Sequence, residues 1–420
     1  MRWFLRVAVI FWVAPLGSPA FAQEQALRPR LVARHQAVVL GATQGPDVAV
    51  AAAPRGEVAA LARRVSALIR PPIVTLGGGY RSGALTPGLE LSVSVAQEVP
   101  LSGVGDARSR LAKAFARSVE TDTRRAQLDG ASRAAIAWTD ALFAKELRRL
   151  RQAALGQAEA ILKTSNSRVQ VGVAPPHELA LARGETAAAL AGVLDAEGME
   201  VEALAELRFA IGAGETEAVE AEGDLYSSDE RDLDENRALH AAQAQNPDLQ
   251  LAIARAAQAG NEARLTHAML GPNLTLGGTF VREGTGDRVL LGFVGFPIPL
   301  FDAAGFETAR QKAVQKTAES QVALTRSEAA RDIRLALHDR LHWREVREAL
   351  RGQALSAFTE AFRMAQTQYE VGTADIGTVI LARQRLLGVE EQLAQVASRV
   401  QHADIGVQRA TGALLDEARR

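Results

Sequence analysis

Gly271 to Arg310 reads GPNLTLGGTFVREGTGDRVLLGFVGFPIPLFDAAGFETAR, and its patterning decides the fold. Leu274, Leu276, Gly278 and Phe280 alternate on one face of a strand. Val289, Leu291 and Phe293 follow on a second strand across Gly284 to Asp287, and we expect the two sets to pair. Helical spacing then begins after FPIPLFDAAG. Each strand is roughly 8 to 10 residues, the length a tilted strand needs to cross a bilayer. A soluble hairpin reads the same way, so the flanking chain must decide between the two.

That stretch has a counterpart 200 residues upstream. Pro72, Thr75, Leu76, Gly77 and Gly78 match Pro272, Thr275, Leu276, Gly277 and Gly278, with Tyr80 where Phe280 stands. Leu89, Leu91, Val93 and Val95 line one face of the following strand, with Glu90, Ser92 and Ser94 opposite. The same offset relates Val171, Gly172, Ala174, Leu181, Ala182 and Arg183 to Val371, Gly372, Ala374, Leu381, Ala382 and Arg383, and Gly212-Ala213 to Gly412-Ala413. Several blocks in register imply a tandem duplication of a unit of about 200 residues. We divide the chain into a first repeat at 46–213, an acidic linker at 214–245 and a second repeat at 246–413.

Between and after the strands the period becomes helical. No proline occurs between Pro100 and Pro175, or after Pro299. Val314, Ala318, Val322, Ala329, Ile333, Leu337 and Leu341 trace one stripe, which Leu350, Ala354, Phe358, Phe362, Ala365 and Tyr369 resume. Helices from about Gly103 to Val169 and Asp302 to Tyr369 would each run about 100 Å. Each ends in a glycine turn, at 171–175 or 371–375, and shorter helices return over Pro176 to Ile211 and Ile376 to Ala410. The unpaired part of each rod is expected to pack on lead-in helices at Pro46 to Arg70 and Asn246 to Leu270, whose first turns carry Asp47 and Asp248. The linker Gly214 to Glu235 holds ten acids and one arginine and reads as a solvated belt or, less simply, a cation site.

The N-terminus has the order of a secretory signal over residues 1–22: Arg2 and Arg6, an apolar run from Val7 to Leu16, then Ala20-Phe21-Ala22. The run is shorter than a spanning helix requires. There is no cysteine, hence no disulfide and no lipidated cysteine. With 48 basic and 49 acidic side chains, the formal charge of −1 argues against a nucleic-acid partner.

Four membrane-length strands per chain cannot stand alone in lipid, because the edges of an open sheet would lack hydrogen-bond partners. Closure with other copies is required, and three copies would give twelve strands. Here the sequence resembles the TolC family of outer-membrane efflux ducts. The likeness is carried by NPDLQLAIARA leading to GPNLTLGG, by the FPIPLFDAAG junction, and by QYEVGTADIGTVILARQRLL at the helical turn. VAQEVPLSGVGDARSRLAKA is similar to the cation-efflux branch of that family.

The resemblance implies an α+β membrane protein. Its homotrimer forms a twelve-stranded transmembrane β-barrel in outer-membrane lipid, continued into the periplasm by a long α-helical coiled-coil barrel. It further implies a passive exit duct, for efflux of metal cations or small toxic compounds or for type I secretion. Such a duct docks on a periplasmic membrane-fusion adaptor and, through it, on an inner-membrane pump of RND or ABC type. The family's adaptor contact carries over onto Val371, Gly372 and Thr373, and onto Val171 and Gly172. Where the best-known member has acidic gate rings this chain has Thr378 and Leu381, so Asp375 is the nearest candidate gate residue, with a helix N-cap as its simpler role.

No enzyme chemistry assembles. His338 and His342 share a helix face, but Asp339 stands where a zinc hydrolase of the H-E-x-x-H type needs glutamate. The glycines at 77–79 and 277–278 lack any phosphate-binding pattern. We expect no cofactor and no metal. Two other readings compete: a periplasmic coiled-coil adaptor without a barrel, disfavoured by the repeat, and a structural relative that no longer conducts.

Overall fold

The computed structural model describes residues 29–419 except 65–70, 83–86, 228–233, 272 and 297–304. The expected leader, the tip of the first strand loop and most of the FPIPLFDAAG junction lie outside the described residues. In chain order the first half gives β1 (Arg30–Ala33), α1 (Arg34–Gln44), α2 (Pro46–Ala52), α3 (Arg55–Arg64), β2 (Ile73–Arg81), β3 (Gly88–Pro100), α4 (Val104–Gln170) and α5 (Pro176–Ala210). The second half gives β4 (Val219–Glu222), α6 (Glu235–Gln245), α7 (Pro247–Met269), β5 (Asn273–Arg282), β6 (Arg288–Gly295) and α8 (Gly305–Ala349). A π turn (Leu350–Ala354) leads from α8 to α9 (Leu355–Glu370), and α10 (Ile376–Thr411) and α11 (Ala413–Glu417) follow.

β2, β3, β5 and β6 form one antiparallel sheet in that order, so each half contributes a hairpin and β3 joins β5 at the centre. One expected pairing is corrected. Phe280 lies opposite Leu290, and Leu276 opposite Val294, so it is Leu290, Gly292 and Val294 that share the face of Leu276 and Phe280. Val289, Leu291 and Phe293 point the other way. The physical cause is the turn, Glu283 to Asp287, closed by a bond from the Glu283 N–H to the Asp287 carbonyl (2.9 Å): shifting register by one residue moves every side chain to the opposite face.

α4 is a single helix of 67 residues, about 100 Å long. Its counterpart runs from Gly305 to Glu370 but is interrupted by the π turn. The stripe itself contains the reason: Leu341 and Leu350 are nine apart, half a turn out of phase, and the π turn begins at that slip. α5 packs on α4 and α10 on α8 and α9, while α7 lies between α4 and α8 and α2 and α3 flank α4, as the unequal helix lengths require. The seams are alanine-rich: Ala131, Ala134, Ala135, Ala137, Ala141 and Ala144 of α4 are all buried. Small residues permit close approach. At Gly41 and Gly130 an added Cβ would stand 2.4 and 2.3 Å from the other residue's carbonyl oxygen, so α1 crosses α4 backbone to backbone.

Three sequence expectations need correction. The lead-in helix Pro46 to Arg70 is broken between α2 and α3, because Pro54 cannot continue α2; its last residues, 65–70, are outside the described set. The residues before Pro46, outside the first repeat as divided, hold β1 and α1. The acidic linker is not simply solvated: β4 pairs parallel with β1, and Val219, Ala221 and Leu225 are buried against Trp138 and Leu142. The Trp138 indole N–H donates to the Val32 carbonyl (2.9 Å), and the Gln401 amide donates to the Leu225 carbonyl (2.6 Å), tying this layer to α4 and α10. The second part of the linker is α6. Ten acids hid a short alternation in which Glu220 and Glu222 face outward.

Candidate functional site

Two regions are candidates for function, and the sheet is the first. Its register sorts the side chains cleanly. One face holds Val74, Leu76 and Tyr80 of β2, Leu89, Leu91, Val93 and Val95 of β3, Leu274, Leu276 and Phe280 of β5, and Leu290 and Val294 of β6. This apolar face has no cover: Leu76 is 74% exposed, Tyr80 69% and Leu290 79%. The opposite face is smaller and more polar. Thr75, Ser94 and Thr279 stand in one row across three strands, with a 2.9 Å hydrogen bond between the Ser94 and Thr279 hydroxyls. Toward the loop end Arg81 pairs with Glu90 and reaches Glu283 at 3.7 Å. Phe293 shares this polar face and lies over Gly277, where a Cβ would stand 2.3 Å from its ring.

An apolar face that wide, at membrane-spanning strand length, is the surface a barrel turns to lipid, with the polar face toward a lumen. Among the described residues β2 and β6 each pair on one side only. Among the described residues no helix is long and apolar enough to cross a membrane.

The second region is the end of the helical hairpins, about 100 Å from the sheet by the length of α4. α4 and α9 stop with the same geometry. The Val173 N–H bonds the Arg168 carbonyl (3.0 Å) and the Gly172 N–H that of Val169 (3.1 Å); Thr373 bonds Gln368 (2.9 Å) and Gly372 bonds Tyr369 (3.1 Å). This closure needs a left-handed residue after the helix, supplied by Gly172 at φ 77° and Gly372 at φ 86°. Val171, Val173 and Val371 project from the turns, 73%, 65% and 70% exposed. Thr373 is exposed as well, with its hydroxyl donating to the Gln368 carbonyl (3.1 Å).

The structure brings the two turns together through residues that sequence reasoning missed. Arg168 donates to the Tyr369 carbonyl oxygen (2.6 Å) and its guanidinium lies 4.7 Å from the centre of the Tyr369 ring. The Tyr369 hydroxyl donates to the buried Glu178 carboxylate (3.0 Å), and burial raises the phenol's pKa. One tyrosine thus clasps the end of α9 to α4 and α5. The signal available in sequence was the apolar stripe ending at Tyr369, which gave its burial but not its partners.

Asp375 caps α10. Its carboxylate accepts from the Thr378 N–H (3.1 Å) and from the Thr378 hydroxyl (2.9 Å), and the hydroxyl bond foremost holds its pKa below the usual carboxylate range. His338 and His342 stack with centroids 6.1 Å apart, and His342 lies edge-on to Trp343 at 4.8 Å.

The architecture is thus an amphipathic four-stranded sheet continued by helical rods about 100 Å long. Residues 238–413 match the family described as outer membrane efflux protein. The outer membrane channel CmeC of Campylobacter jejuni has the same fold, with a TM-score of 0.78 at 17% identity over 92% of this chain and 89% of that one. The outer membrane protein VceC of Vibrio cholerae gives 0.74 at 18% over 90% and 96%, and CusC, described in terms of transmembrane channel formation, 0.74 at 15% over 90% and 92%. No curated protein sequence matches the chain significantly. The second half of the chain thus matches the outer membrane efflux protein family, and the chain as a whole has the fold of the outer-membrane channels CmeC and VceC.

Proposed function

We propose that three copies of this chain, each a tandem repeat of two units, close into one duct that carries cargo out across the outer membrane. The duct is powered by an inner-membrane pump reached through a periplasmic adaptor. One observation carries the reading: an exposed apolar face on a sheet whose edge strands β2 and β6 both lack a second neighbour among the described residues. An open edge in lipid leaves backbone groups unsatisfied at several kcal/mol each, so β6 of one copy pairs with β2 of the next. Twelve strands then enclose the row of Thr75, Ser94 and Thr279.

The adaptor docks on the tip formed by Val171, Gly172, Val371, Gly372 and Thr373, where exposed valines stand on rigid, glycine-closed turns. Asp375 would form any acidic ring at that tip, with its carboxylate already shared with Thr378. The likeness of VAQEVPLSGVGDARSRLAKA to the cation-efflux branch supports a metal-cation cargo as the narrower reading.

The test is conductance. Protein extracted from outer membranes should give stepwise openings in planar bilayers. Heat-resistant oligomers without conductance would instead identify a non-conducting relative, and a soluble periplasmic monomer would identify an adaptor.

A further inference from the structure

One face of α4 meets two environments. Midway along the helix, Leu128, Ala131, Ala135 and Leu142 are buried beneath α1, α11 and the β1–β4 layer. Eighteen residues before each of them, five turns at 3.6 residues per turn, stand Arg110, Lys113, Arg117 and Arg124, all exposed. The cover ends and the same face turns basic.

These four side chains and Arg419, just beyond α11, line an open groove of about 860 Å³ between α4 and α7. Glu120 and Asp416 are its acids. None of the five bases forms an ion pair among the described residues, whereas Arg125, one position past Arg124, is paired with Asp248 at 2.6 Å. A solvated helix face needs charge but not one sign of it, and the chain as a whole has 48 basic and 49 acidic groups. Five bases against two acids concentrate a positive field in a concave site.

Position then selects the partner. The layer of α1, α11, β1 and β4 lies on this face of α4, and three such layers would block the bore of a closed tube, so the face is external. α4 is flanked by α3 and α7 of its own chain, which keeps the groove clear of seams between copies. α4 begins four residues beyond β3, and Lys113, Arg117 and Arg124 lie about 14, 20 and 30 Å along it. Lipid headgroups extend only about 5 to 8 Å past the hydrocarbon. Beyond them, around a periplasmic extension, the fixed anionic polymer is the cell wall, with carboxylates on its peptide stems. Gln250 and Asn261 of α7 add amide hydrogen-bonding groups to the groove.

We propose that this groove binds the carboxylates of cell-wall peptide stems and seats the duct in the wall it passes through. The inference rests on the closed-duct reading, so the mass of each preparation is measured first, and only assembled protein is used. Purified oligomer in detergent is then sedimented with insoluble peptidoglycan sacculi at about 50 and 300 mM salt. The wild type should pellet at low salt and be released at high salt. The triple variant Lys113→Ser, Arg117→Ser, Arg124→Ser should assemble normally, because all three side chains are exposed, and bind about tenfold more weakly. Lys113→Arg with Arg117→Lys, which keeps the charge, should bind as wild type. Equal sedimentation of the wild type and the triple variant would overturn the proposal. So would a defect of that variant confined to vesicles containing phosphatidylglycerol, which would make the groove a lipid site.

Discussion

Gly372 ties a backbone conformation to the docking role proposed for the tip. Its φ of 86° is a region that a β-branched side chain adopts only at a cost of about 1 to 2 kcal/mol, while an added Cβ would meet only the Arg168 guanidinium, at 3.5 Å. Gly372→Val should therefore distort the tip locally. We expect impaired adaptor docking and export with a normal oligomer in the outer membrane; unchanged export would remove the tip from the contact surface. Tyr369 makes a sharper case. Removing its hydroxyl leaves the Glu178 carboxylate, only 7% exposed, without that donor, at a cost of about 1 to 3 kcal/mol. Tyr369→Phe should accelerate amide hydrogen exchange at residues 365–371 and 178–182 and leave the sheet unaffected. Both glycine turns were legible from spacing alone. The Arg168–Tyr369–Glu178 clasp was not, because it joins positions 201 and 191 apart, a distance that no local pattern encodes.

Among the elements, the long helices were the most legible and the layer across their middle the least. α4, α5 and α10 fall within a residue or two of the ranges their proline-free, three-and-four periodicity gives. β4 escaped because a four-residue strand among acids has almost no periodic signal, and its layer is held by Trp138 and Gln401 from distant helices. The register of β6 was lost for a related reason: turn length decides which face of an alternating strand is which.

Where α4 meets α10 below this layer, Glu390 borders a cavity of about 350 Å³ together with Glu146, Arg149, Tyr226, Arg347 and Arg351. Burial raises the Glu390 pKa above its usual value; Arg149 opposes the shift and Glu146 adds to it. The folded state therefore holds this proton more tightly than the unfolded chain does. The group's penalty is absent below its unfolded pKa and grows as pH rises through the folded one. Glu390→Gln should raise the thermal midpoint at pH 7 and leave it unchanged near pH 4. A midpoint lowered at pH 7 would show that the carboxylate is a stabilising partner instead.

At the scale of the whole molecule, one chain leaves its sheet open in a way that the proposed assembly would close. The sheet exposes its apolar face and both its edges, while the helical wall is well packed within the chain and closed by buried pairs such as Arg383 with Glu185 and Arg340 with Asp404. Sequence alternation marked strands of membrane-spanning length but did not separate them from soluble hairpins; that the two hairpins lie side by side through β3 and β5 required the structure. With no native cysteine, single cysteines on β2 and β6 can report the closure, and linked species should end at three chains. Whether copies of this chain close one barrel is read from the detergent-corrected mass of protein extracted from outer membranes, measured by light scattering on a sizing column. A closed duct should have a protein mass of three chains, each 44.7 kDa before removal of any leader. A monomer, recovered from the soluble periplasm, would contradict it.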